Sequence, residues 1–208
     1  ALVKISREAV QLYNEFAGDE LATIQLNTAL ESSGNFASGA ASRFNDFASA
    51  LQATTLYGDD VTKSQIAQLA ALGKTEPEIK KIITAATNLA SATGVDLDTA
   101  VKQLNATLVG NAGYLGRQNA AIRNLTEEEL KAGKAIEIVN KQYAGMAEIV
   151  GKGALGAMTQ LKNAVGDVRE AVGAIIASNF KPFVKNITDA ANEIAKNLND
   201  NININNVL

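Results

Sequence analysis

Enzyme chemistry draws on a short list of side chains, and this chain of 208 residues has neither histidine nor cysteine. Metalloprotease motifs, histidine-dependent triads, thiolate nucleophiles and most structural zinc sites therefore cannot be assembled from it. Carboxylates and glycines remain. Asp59 with Asp60, and Asp96 with Asp98, are spaced closely enough for a metal pair or an acid–base couple. Each pair also stands just before an apolar helical pattern, where one acid caps the helix and its neighbour meets the positive end of the helix dipole. Capping is the reading adopted. A glycosidase-type carboxylate pair is possible in principle, but no placement singles two residues out. The loop GNAGYLGR, Gly110 to Arg117, offers backbone amides to an anion, yet no strand precedes it and no Gly-Lys-Ser/Thr follows. It reads as a connection between helices. No catalytic, cofactor-binding or metal-binding residue is expected, nor any cofactor, and the chain is not expected to be an enzyme.

The elements that position these residues are helical. Alanine abounds, there are two prolines and no tryptophan, and aromatics at 5% are too few for an all-β core. The clearest signals lie between Thr75 and Leu108. Thr75 with Glu78 makes a capping box and Pro77 falls in the first turn; Ile79, Ile82, Ile83, Ala86, Leu89 and Ala90 then share one face, and Gly94 stops the helix. Asp96 caps the next, carrying Leu97, Ala100, Val101, Leu104 and Leu108. Upstream, one long helix is predicted from Leu2 to about Thr28, with a kink possible at Gly18. A second carries Phe36, Ala40, Phe44, Phe47 and Leu51, and a third is capped by Asp59 or Asp60 and ended by Gly73. Downstream, a brief turn holds Ile122, and Thr126 with Glu129 forms a second capping box.

From there Ala132, Ile136, Val139, Tyr143, Met146 and Val150 alternate by four and three, and Met158, Leu161, Val165, Val168, Val172 and Ile175 resume the pattern. Such spacing can form a coiled-coil seam, read here first as intramolecular core. Gly145, Gly151, Gly153 and Gly156 interrupt it and predict a joint over residues 145–156. Pro182 predicts a boundary followed by a last short helix, and the asparagine-rich tail from Asp200 reads as disordered. The expected fold is all-α: six to eight helices in a bundle or antiparallel array joined by short glycine-containing turns, longer towards the C-terminus. A formal net charge of −3 without a basic cluster gives no electrostatic footprint for nucleic acid or anionic membrane. The longest charge-free stretches, 82–95 and 103–116, fall short of the ~18 apolar residues a spanning helix needs. With no basic start leading into an apolar run, no signal peptide is expected.

Several phrases occur together in one order: ELATIQLNTALESSG (Glu20 to Gly34), FASALQATTLYGDD (Phe47 to Asp60), ATNLASATGVDLDTAVKQL (Ala86 to Leu104), GNAGYLGR (Gly110 to Arg117), LTEEEL (Leu125 to Leu130), Tyr143–Ala144 with Gly145, and LKNAVGDVREAVG (Leu161 to Gly173). That order resembles phage tail length tape measure proteins over roughly Glu20 to Phe183, and the chain is shorter than such proteins usually are. The resemblance implies a structural segment of a phage or prophage tail, packed in the tube whose length it sets and released during DNA delivery. It implies the tail tube subunit, tail assembly chaperones and self-association as partners, and a place in the virion tail lumen after assembly in the host cytoplasm. From the charge and the short apolar stretches, neither sequence-specific nucleic-acid binding nor membrane contact is expected of this segment. The corresponding organisation is an N-terminal helix over 1–19, a tape-measure-like helical region over 20–183, and a short helix with the tail over 184–208. The alternative is a helical protein–protein interaction module. A further one is a membrane-perturbing helical protein, against which the charges of Glu148, Lys152 and Lys162 count.

Overall fold

The computed structural model describes residues 2–34 and 36–205. Among the described residues there are eleven helices and no strand, so the chain is all-α. In order they are α1 (Leu2–Ser33), α2 (Ala40–Thr54), α3 (Asp59–Ala71), α4 (Glu76–Thr93), α5 (Leu97–Leu108), α6 (Gly113–Gln118), α7 (Ala120–Arg123), α8 (Glu127–Lys131), α9 (Lys134–Gln142), α10 (Met146–Gly151) and α11 (Ala154–Asn205).

One compact unit spans Gly18–Val165, and α4 is its pivot. Glu78 accepts hydrogen bonds from the Thr75 backbone N–H at 2.8 Å and from the Thr75 hydroxyl at 2.7 Å, which fixes where α4 begins. Gly94, at φ 76°, takes the left-handed conformation that ends it. Between these ends Ile79, Ile82, Ile83, Ala86, Leu89 and Ala90 are buried, and α4 packs against α3, α5, α9 and α10. Burying each isoleucine contributes about 1.5–3 kcal/mol over leaving it in water. Leu26 of α1, Phe44 of α2, Ile66 and Leu69 of α3, Leu104 of α5 and Val139 of α9 complete the same core. Phe36, expected inside the second helix, instead precedes α2 and meets Phe44 edge to face at 5.9 Å. The second unit combines α1 up to Ala17 with α11 from Gly166.

Three expectations from local signals fail. The run ahead of the expected joint, from Thr126 to Tyr143, is not one helix. Gly133, at φ 83°, a conformation no helix interior accepts, cuts it into α8 and α9, while Gly145, at φ 73°, parts α9 from α10 at the start of the stretch 145–156 where a joint is expected. This is why the helices exceed the expected six to eight. Conversely, no boundary falls at Pro182, because α11 runs from Ala154 to Asn205. A proline removes one hydrogen bond, whereas propagation regains one for each residue added, so a long helix continues across it. Residues 200–205 are likewise helical rather than a disordered tail; residues 206–208 lie outside the described residues.

Two helix starts are closed by side chains from other helices. At α3 the N-cap is Gly58, and neither Asp59 nor Asp60 caps the helix as expected. Both lie in its first turn, and Gln52 of α2 accepts the Asp59 N–H at 2.8 Å. At α10, Asn88 of α4 accepts the Ala147 N–H at 3.0 Å while its amide donates to the Thr84 carbonyl at 3.0 Å. Each supplies an acceptor to an amide that no turn of its own helix can satisfy.

Candidate interaction surface

The four-three pattern of the sequence divides into a covered half and an open half. In the first half Ile136 and Val139 are buried in the core, Tyr143, Met146 and Val150 are half-buried, and Ala132 is exposed. In the second, on α11, Met158, Leu161, Val165, Val168, Val172 and Ile175 are all exposed, from 41% to 67%. The sequence reading of an internal seam holds from Ile136 to Val150 and fails for Ala132 and for the second half.

What α11 packs with instead is glycine. A Cβ on Gly173 would overlap the Leu12 carbonyl oxygen and come within 2.8 Å of Phe16 Cβ. Beside it Arg169 donates to the Glu15 carboxylate at 3.0 Å. Near the start of α11, a Cβ on Gly156 would overlap the Gly151 carbonyl oxygen, and one on Gly151 would overlap that of Thr54. At Gly156 and Gly173 α11 thus meets neighbouring backbone, while its aliphatic residues from Met158 to Ile175 named above lie in solvent.

The residues considered for chemistry have structural duties. Asp96 caps α5 by accepting the Thr99 N–H at 2.7 Å, and this bond holds its carboxyl below the usual range. Asp98 accepts from Lys102 at 2.5 Å and from the Gln65 amide at 3.3 Å. Asp59 pairs with Lys63 at 2.7 Å, as does Asp19 at 2.8 Å. Burial works against the Lys63 charge, but the two carboxylates outweigh it and raise its pKa. Asp19 lies 44 residues from Lys63, so no local spacing announces this triad. In the glycine-rich loop, the Asn111 N–H turns inward to the Ala106 carbonyl at 3.1 Å. A Cβ on Gly110 would fall 2.6 Å from Glu127 Cγ, which places a carboxylate where an anion would have to sit.

A recess of about 280 Å³ between α1 and α3 is lined by Leu21, Gln25, Asp60, Val61, Ser64 and Gln65. The Gln65 carbonyl oxygen is enclosed without a hydrogen-bond partner and without contact with solvent, so it offers nothing to an entering molecule. Among the described residues, no cluster of three or more potential ligands could hold a metal ion, and no helix is long and apolar enough to cross a membrane. The exposed large aliphatic side chains on α11 include Leu155, Met158, Leu161, Val165, Val168, Val172 and Ile175. Comparison with protein-family models, curated proteins and solved structures finds no match to this chain.

Proposed function

We propose that this chain is a segment of a phage or prophage tail tape measure protein: a structural component that sets tail tube length during assembly and leaves the tube during DNA delivery. The observation that carries the reading is α11, 52 residues of helix without a break. An α-helix advances about 1.5 Å per residue, so such a segment converts chain length into distance. The order of sequence phrases from Glu20 to Phe183 supports the same reading. On it, the partners are the tail tube subunit and the assembly chaperones, and the place of action is the tail lumen after assembly in the host cytoplasm. Duplicating residues 158–178 in the parent reading frame is expected to lengthen tails by about 32 Å in electron micrographs. Intact particles of unchanged length would refute the ruler role, and normal particles after deletion of residues 75–173 would refute the tail reading altogether.

A second reading, a helical module that docks another protein, is favoured by the aliphatic side chains that α11 leaves in solvent. Changing Val165 and Val172 to serine separates the two uses of such residues. A docking face loses its partner while the fold survives, whereas core residues would unfold the protein.

A further inference from the structure

We infer that Tyr114, Arg117, Arg123 and Lys141 form a binding surface for single-stranded nucleic acid, with phosphates held by the cations and a base stacked on the tyrosine. All four belong to the unit that spans Gly18–Val165, and the surface uses no residue of α11, so it stands whether or not the tail reading survives.

On neighbouring helices Lys81, Lys102, Lys131 and Lys134 each pair with a carboxylate. Arg117, Arg123 and Lys141 do not. All three are exposed, and among the described residues no carboxylate lies within ion-pair distance of any of them. They are scattered along the sequence, and the fold collects them. A Cβ on Gly116 would lie 3.4 Å from the Arg123 Cα, so the backbones of α6 and α7 meet beside Arg117. Asn119 caps α7 by accepting the Ala121 N–H, and its amide donates to the Gln142 side-chain carbonyl at 2.6 Å. That bond ties the two arginines to the end of α9, where Lys141 stands.

Tyr114 supplies the aromatic part. It is 41% exposed, its hydroxyl accepts from the Gln118 amide, and the Arg117 guanidinium lies 5.6 Å from the ring centre. Ring and guanidinium are thus positioned before anything binds, and both are planar groups on which a base can stack. Arginine also presents the forked donors that phosphate oxygens accept. An acidic protein segment would meet the cations but make no use of the ring. A duplex keeps its base faces stacked, and α6 and α7, of six and four residues, are too short to lie along its groove. A single strand offers phosphates and open base faces together.

Fluorescence anisotropy of the full chain with a labelled oligothymidylate of about 12 nucleotides tests this. Saturable binding is expected at low salt, with log K falling by about 0.7 per decade of salt for each phosphate held. Changing Arg117 and Arg123 together to glutamine should reduce that slope by about 1.4. Tyr114→Ala should weaken binding about tenfold at unchanged slope, whereas Tyr114→Phe, which keeps the ring, should bind as the unaltered chain does. Lys162→Gln removes a charge from α11 and should change nothing. Circular dichroism checks each variant for its fold; if Tyr114→Ala unfolds, the double arginine variant set against Lys162→Gln decides. Absence of saturable binding at low salt would overturn the inference, as would full binding by a folded Tyr114→Ala. So would equal losses in Lys162→Gln and the double arginine variant, or displacement of the oligonucleotide by polyglutamate as readily as by unlabelled oligothymidylate, the mark of a surface for acidic protein.

Discussion

Glu76 lies between Arg43 and Lys80, at 2.7 and 2.8 Å, and the ammonium of Lys80 also stands 5.8 Å from the centre of the Phe44 ring. The Arg43 hydrogen bond, ahead of that from Lys80, lowers the Glu76 pKa from 4.5 to about 2. A carboxyl with a depressed folded-state pKa stabilises the fold above its unfolded value and loses that contribution as pH falls from about 4.5 towards about 2. Arg43 is 42% exposed, and solvent screening reduces the effect to about 1 kcal/mol. Glu76→Gln should therefore be less stable than the unaltered chain by that amount in urea near neutral pH, with the gap closing through this acid window. Asn88 carries a different load, because both ends of its amide are used in a buried setting. Asn88→Ala leaves the Ala147 N–H without its acceptor, and a loss of about 1–2 kcal/mol is expected in the same assay.

At the scale of the helices, glycines at different contacts respond in opposite directions. Gly18 lies inside α1 with open space where a Cβ would go, so Gly18→Ala is expected to raise stability by about 0.5–1 kcal/mol. Gly151→Ala drives a methyl into the Thr54 carbonyl oxygen and is expected to cost more than about 2 kcal/mol, read as a fall in thermal midpoint. The same contrast explains what could be read in advance. Thr75 with Glu78, Thr126 with Glu129, and Asp96 with Thr99 act within three residues of one another, so spacing alone reveals them. Gln52 at α3 and Asn88 at α10 act across 7 and 59 residues, and no local pattern distinguishes them from any other amide side chain. The α11 stripe was visible as a period, but a period does not say which side of a helix is covered. That was decided by Gly156 and Gly173, whose missing side chains admit neighbouring backbone.

At the scale of the whole molecule, among the described residues the main buried core lies between Leu26 and Val139, inside the unit that spans Gly18–Val165. A fragment of residues 18–165 is therefore expected to unfold in a single cooperative thermal transition. A broad, non-cooperative melt would show that the core depends on the remaining parts of α1 and α11. Such a fragment keeps α4 together with all the helices packed on it.

The acceptor that Asn88 lends to α10 also sets an order in time. A helix of six residues is too short to persist alone in water, and the first turn of α10 is closed by a residue of α4. α10 therefore cannot precede α4 in folding, nor outlast it in unfolding. Deuterium uptake at the Ala147 amide should accordingly follow the slow opening of α4 rather than rapid fraying at a helix end, and Asn88→Ala should release it while leaving the amides of central α4 protected.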